Sequence, residues 1–239
     1  MITEKWSQFI IIGLIIAVIV VGAAGFLRPT VISQLKEENR ISVSGTATLS
    51  VEPDEVVIVV GSETEAASAE DSQRANTGAI NGIRSALNRT GIAAENVTTV
   101  AYYLEIIREY DKDEIPEVVG YRTIHLLEIK SASTKKAGEY VDAAVNGGAN
   151  RVDSVTFGLS DANEKAVRTQ ALALAGQDAR AKAEASAAGL GLSVKRVVRA
   201  SEGWVYVTPM RAGAEAMSTE ITPGQVQVSA SLNVAYEIG

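Results

Sequence analysis

The side chains that most often do chemistry are scarce in this chain. Its 239 residues include one histidine and no cysteine. The lack of cysteine excludes disulfides, thiol nucleophiles, iron–sulfur clusters and thiolate zinc sites. His125 lies in an alternating run, with Tyr121, Thr123, Leu127 and Ile129 on its face. A general base needs a partner within hydrogen-bond reach, and a transition-metal site needs further ligands. No second histidine exists to supply one, so His125 reads as a strand residue making an ordinary hydrogen bond. Four carboxylates, Glu63, Glu65, Glu105 and Glu128, fall on or beside strand patterns. Paired acids hydrolyse glycosides, but acids on a strand usually mark a solvent face, and no aromatic platform accompanies these. Gly147-Gly148 follows a helical pattern instead of preceding one, and no G-K-[ST] occurs. That pair reads as a helix C-cap and turn, not a phosphate loop. No catalytic residue, metal site or cofactor is expected.

The remaining candidates are interaction residues. The run Asp178–Ala188 alternates charge with alanine, and Arg180 and Lys182 within it could meet a second copy. Equally, they could line a solvated face above an alanine stripe packed on a sheet. The connection 208–224 is long for a loop between strands and carries Met210, Arg211 and Met217. It is either an ordinary surface loop or an arm that contacts a partner. Nucleic acid is not an expected partner. The net charge is −7 and no basic cluster occurs, whereas phosphate binding needs a surplus of lysine and arginine on one face.

These residues must be positioned by a folded region spanning 41–239. Residues 41–51 alternate as a half-buried strand does, 55–64 is a strand apolar on both faces in its middle, and 96–108, 118–130, 150–159, 194–207 and 225–238 also read as strands. Pro53-Asp54 marks a short turn, which predicts a hairpin between the first two strands. Helices are expected over 68–89, 134–146 and 161–188. Ser68 and Asp71 suit the first turn of the first helix, and Ile80, Ile83 and Leu87 form its apolar face, with Asn76 on the same stripe. Asp161 and Glu164 resemble a capping box on the third. The resulting class is α+β, in the order β-β-α-β-β-α-β-α-β-β. Residues 55–159 would form a ferredoxin-like split β-α-β core, with the flanking strands and the long helix making a second layer.

Before the folded region, Phe9–Leu27 is an uncharged run of about 19 residues, which spans roughly the ~30 Å hydrocarbon core as a helix. Residues 1–28 are therefore expected to be a transmembrane anchor or a signal segment. Length favours an anchor, although Ala23 and Gly25 provide a small-x-small site before Phe26. Residues 29–40 read as a polar stalk. Lys5 lies on one side of the apolar run, and Arg28, Lys36 and Arg40 on the other, so charge leans slightly against exporting the folded region.

Several motifs resemble the SIMPL-domain family, which includes periplasmic immunogenic and outer-membrane antigens of bacteria. They are Ser44-Gly45-Thr46-Ala47, then Val51-x-Pro53-Asp54, Asn76, Gly120-Tyr121 and Gly148-Ala149-Asn150. The series continues with Asp178-Ala179-Arg180-Ala181-Lys182-Ala183, Pro209-Met210, Pro223-Gly224 and Val228-Ser229-Ala230-Ser231-Leu232. Their order and spacing cover about 41–238. His125 stands where the family pattern usually carries asparagine. The resemblance implies an exported domain of undefined activity, some of whose relatives form rings or larger oligomers. The expectation is thus a single-pass membrane protein with an extracytoplasmic, non-enzymatic domain that self-assembles. The alternative is a ligand-binding module that uses a sheet face or the 208–224 loop.

Overall fold

The computed structural model describes residues 39–109, 116–211 and 223–239. Its strands are β1 (Arg40–Val51), β2 (Glu55–Ala66), β3 (Val97–Glu109), β4 (Glu117–Ser131), β5 (Arg151–Gly158), β6 (Val194–Thr208), β7 (Met210–Arg211) and β8 (Val226–Ile238). Its helices are α1 (Ala69–Arg89), α2 (Ala137–Asn146) and α3 (Asp161–Gly189). The expected order is present, with the two-residue β7 added. The apolar run Phe9–Leu27, the stalk through residue 38 and Met217 lie outside the described residues. Among the described residues, no helix is long and apolar enough to cross a membrane.

One antiparallel sheet has the order β3-β4-β2-β5-β7. Both β2 and β3 run antiparallel to β4, which lies between them. That arrangement is the split β-α-β predicted for this stretch. α1 and α2 cover one face. Val56, Ile58 and Val60 of β2 point at Leu127 and Ile129 of β4, Phe157 of β5, and Ile83 and Leu87 of α1, all fully buried. Each such side chain removed from water contributes about 1.5–3 kcal/mol. Ser68 caps α1 by accepting the Asp71 N–H at 3.1 Å. Asn76 is polar on an apolar stripe because its amide ties the two central strands to the helix. It donates to the carbonyls of Ser62, at 2.9 Å, and Thr123, at 3.1 Å.

The second sheet is three-stranded, in the order β1-β8-β6, and α3 packs on one face. The predicted hairpin of the first two strands does not form. β2 has both edges occupied, by β4 and β5, so β1 has no place beside it. β1 pairs instead with β8 along its whole length, from Arg40↔Glu237 to Val51↔Val226. The buried stripe of α3 consists of Ala171, Ala175, Ala179, Ala183 and Ala187, repeating every fourth residue. Small side chains bring the helix onto the sheet until Gly45 of β1 touches its backbone. A Cβ at Gly45 would collide with the Ala175 carbonyl and lie 2.7 Å from the Ala179 Cβ.

The cap of α3 also differs from expectation. Ser160, not Asp161, is the N-cap, and its side chain makes no capping bond to the helix. Asp54 serves that end from another part of the chain. Its carboxylate accepts the Ser160 N–H at 2.8 Å, the Ser160 hydroxyl at 2.6 Å and the Asn163 amide at 2.6 Å. The Pro-Asp turn therefore joins the two sheets at the start of the long helix. Glu164 pairs with Arg168 one turn along.

Candidate functional site

His125 projects from β4 toward α1. Its Nε2 lies 2.9 Å from Thr99 Oγ1, and Tyr102 packs edge-on with ring centroids 5.3 Å apart. Burial, with Arg84 nearby, lowers its pKa below the ordinary histidine value. The site holds a neutral imidazole in an ordinary hydrogen bond. Among the described residues, no group of three histidine, cysteine or acidic side chains converges as a metal site.

Two of the four strand acids belong to one ion-pair ribbon on the outer face of the five-stranded sheet. Glu63 bonds Arg122 at 3.0 Å and Arg151 at 2.9 Å. Glu65 bonds Arg122 at 2.6 Å, and Asp153 bonds Arg151 at 3.2 Å. Each carboxylate here faces a guanidinium, so the ribbon suits structure better than proton transfer. Beside it, Asn150 acts as an extra strand residue. Its side-chain carbonyl accepts the Glu63 N–H at 2.8 Å and its amide donates to the Glu63 carbonyl at 2.7 Å. Gly148, at φ 111°, makes the left-handed turn that delivers Asn150 to this position.

The predicted interaction residues fall in separate places. Arg180 is exposed on α3 and pairs with Glu184 at 2.8 Å. Lys182 pairs with Asp178 at 2.6 Å and donates to the Ser44 carbonyl at 3.1 Å. Asp178 in turn accepts the Thr46 N–H at 2.8 Å. These two side chains thus cover the free edge of β1 on either side of Gly45. The Lys182 hydrogen bond, and after it the Thr46 amide, hold the Asp178 carboxyl below its ordinary value against a desolvation that pushes it up. Met210 and Arg211 form β7, against Phe157 and Thr156 at the opposite edge of the other sheet. Arg211 is exposed, whereas Met210 is not. It is half-buried against the core, and its Sδ accepts the Gly224 N–H at 2.7 Å. The apolar core beside it draws in a long flexible thioether.

Two surfaces escaped sequence reasoning. The first is the β3–β4 hairpin. Seven of the thirteen large apolar side chains that stand exposed among the described residues belong to it: Val100, Tyr102, Tyr103, Leu104 and Ile106 of β3, with Val118 and Val119 of β4. The signal is present in the sequence, since Ala101–Ile107 contains few polar residues, but a strand pattern alone does not show which part of it a helix covers. α1 covers only the near half of the hairpin. β3 is also an edge strand.

The second is the outer face of the three-stranded sheet, opposite α3. Register assigns its rows: Thr48, Ser229 and Tyr206; then Ser44, Asn233 and Ser201. Thr48 and Ser229 hydroxyls lie 3.0 Å apart, and Ser44 and Ser231 hydroxyls 3.2 Å apart. Trp204 and Tyr206 stack on this face, with centroids 5.1 Å apart. The alternation S-x-S-x-T-x-T-x-S from Ser42 to Ser50 shows this face directly once β1 is known to be half covered.

The family model for SIMPL, described as a protein of unknown function (DUF541), matches residues 41–236. Two curated relatives are the 26 kDa periplasmic immunogenic proteins of Brucella melitensis biotype 1 and Brucella abortus strain S19. Each is 28% identical over 215 residues, covering 83% of this chain and 84% of the relative. The ends of the family match coincide with a structural closure. Ile41 and Tyr236 are direct cross-strand partners in β1 and β8. Bounded by that pair and carrying the signature residues at Gly45, Asp54, Asn76 and Asn150 in structural roles, the chain belongs to the SIMPL family.

Proposed function

We propose that this protein is an extracytoplasmic, membrane-anchored interaction protein that self-assembles and performs no catalysis. The observation that carries this reading is the β3–β4 hairpin, an apolar arm on an open sheet edge. Exposed apolar patches and unpaired edge strands are where chains associate. Extracytoplasmic placement is supported by the periplasmic relatives, and anchoring by the apolar run 9–27. Sedimentation of the full chain in detergent tests assembly. Over about a hundredfold concentration range, a mass above the 25.2 kDa monomer is expected. Tyr103→Glu with Ile106→Glu should return the protein to monomer. A wild-type chain that stays monomeric throughout sinks the reading, and so does an assembly indifferent to both substitutions.

A second reading, a ligand-binding module on a sheet face, is favoured by the bare polar face of the three-stranded sheet and its stacked aromatic pair.

A further inference from the structure

Most features outside the hairpin are satisfied internally. The Glu63–Arg122–Arg151 ribbon is paired, and the Asp178–Lys182 pair covers an edge; Asn76 ties helix to sheet through its amide NH2 while its buried Oδ1 has no partner among the described residues. The outer face of the three-stranded sheet is different, because its Arg199 has no acid partner among the described residues and its charge opposes that of the chain.

Three features of this face converge. The first is charge. The chain carries −7 overall, yet register places Arg196 and Arg199 on this face against one carboxylate, Glu237. Arg196 takes that carboxylate at 2.6 Å. Arg199 is exposed, and no acid pairs with it among the described residues. The second is shape and donor chemistry. Arg199 lies in a shallow groove of about 380 Å³ with Ser42, Ser44, Ser201 and Asn233. Hydroxyls and an amide both donate and accept, as a polyhydroxylated ligand requires. A guanidinium forks onto a carboxylate through two parallel hydrogen bonds. The third is the aromatic pair. Trp204 is 41% and Tyr206 63% exposed, and the two rings stack on each other. A β-bulge between Glu202 and Val205 turns that stretch of β6, and Gly203 within it lies close over Ser231. Flat amphipathic rings offer an apolar face to a ligand while their polar tips stay wet.

We infer that this face binds an acidic oligosaccharide, with a carboxylate at Arg199, hydroxyls along the Ser44–Asn233–Ser201 row, and a sugar ring against Trp204–Tyr206. The two ends of the site are separated by six residues of β8, Ser229 to Ala235, or about 20 Å. That distance asks for a chain of several sugars and excludes a monosaccharide bridging both ends. The inference rests on the ligand-binding reading and names its ligand class.

Calorimetry on the full chain in detergent tests it. The probes are tetragalacturonic acid and a hyaluronan tetrasaccharide, against neutral cellotetraose and monomeric galacturonate. At least one acidic tetrasaccharide should bind, at least about tenfold tighter than either control. Arg199→Gln and Trp204→Ala should each weaken it by about tenfold or more, and Arg199→Lys less. Both positions are exposed, and an unchanged melting curve confirms that each variant folds. No binding of any probe up to about 10 mM overturns both this inference and the ligand-binding reading. Binding that survives Arg199→Gln and Trp204→Ala overturns this site alone. Equal binding of cellotetraose overturns the acidic class.

Discussion

Gly45 is the residue on which the second layer depends. A methyl group there meets α3 backbone, which cannot step aside as a side chain can. Gly45→Ala is therefore expected to cost about 3 kcal/mol or more, at the upper end of overpacking effects, read by urea denaturation. A loss below about 1 kcal/mol would mean that the helix slides freely on the sheet. Asp54 makes a pH prediction. Partial burial pushes its carboxyl up, but the Ser160 hydroxyl and N–H and the Asn163 amide outweigh burial and hold it below its ordinary value of 3.8. A carboxyl lowered by folding stabilises the fold above its unfolded value. That contribution disappears as pH falls through the folded value, so the loss lies below about pH 4. Asp54→Asn should remove about 1 kcal/mol at neutral pH, after discounting for solvent, and flatten the acid limb of stability against pH. An acid limb identical to that of the wild type would show that Asp54 is not the titrating group. Both residues were visible in the sequence as parts of short motifs. Their roles were not, because Gly45 meets residues 130 positions away and Asp54 meets Ser160. A motif reports that a residue matters locally; it does not identify a distant partner.

At the scale of elements, periodicity sufficed to place the strands and helices, since each buries one face or stripe and alternates accordingly. Pairing was less legible. A short Pro-Asp turn predicts a hairpin on local grounds, yet β2 is flanked on both sides and β1 closes against the last strand of the chain. No local pattern announces a partner nearly 200 residues away. The edge of β1 is the consequence. Left bare, it would offer its N–H and C=O groups to another chain. Asp178 and Lys182 cover the groups beside Gly45, which explains charged residues flanking Ala179 and Ala183 at helical spacing. Asp178→Ala with Lys182→Ala should raise amide hydrogen exchange at Thr46, leaving amides at the centre of the five-stranded sheet protected. Equal protection of Thr46 in the variant would mean that the clamp is ornamental. The candidate interaction residues Arg180 and Lys182 therefore differ. Lys182 is occupied within the chain, and Arg180 is held only by an exposed pair with Glu184, which contributes little.

At the scale of the whole molecule, the fold contains two separate cores. One fills the space between the five-stranded sheet, α1 and α2; the other lies between the three-stranded sheet and α3. Their sequence segments interleave, because β1 precedes and α3, β6 and β8 follow the five-stranded unit, apart from β7. The connections between the cores are local, chiefly the Asp54 cluster and the Asp54 N–H to the Gly158 carbonyl at 3.1 Å. Each core also leaves one surface uncovered: the apolar hairpin on the first and the polar Trp204 face on the second. As proposed above, these surfaces do different work, the first meeting other copies of the chain and the second a ligand. This separation predicts non-coincident unfolding when one unit is weakened. Trp204 lies on the three-stranded unit, while far-UV circular dichroism reports on both. In Gly45→Ala, the fluorescence of Trp204 should change at lower urea than the main dichroism transition, leaving a partly folded state that retains α1, α2 and the five-stranded sheet. The Trp6 side chain lies in the N-terminal segment, so Trp6→Phe serves as the background for this measurement. Coincident transitions in that background would show that the Asp54 junction couples the cores into one cooperative unit. The two surfaces would then have to act together, and Tyr103→Glu would be expected to alter binding at Trp204.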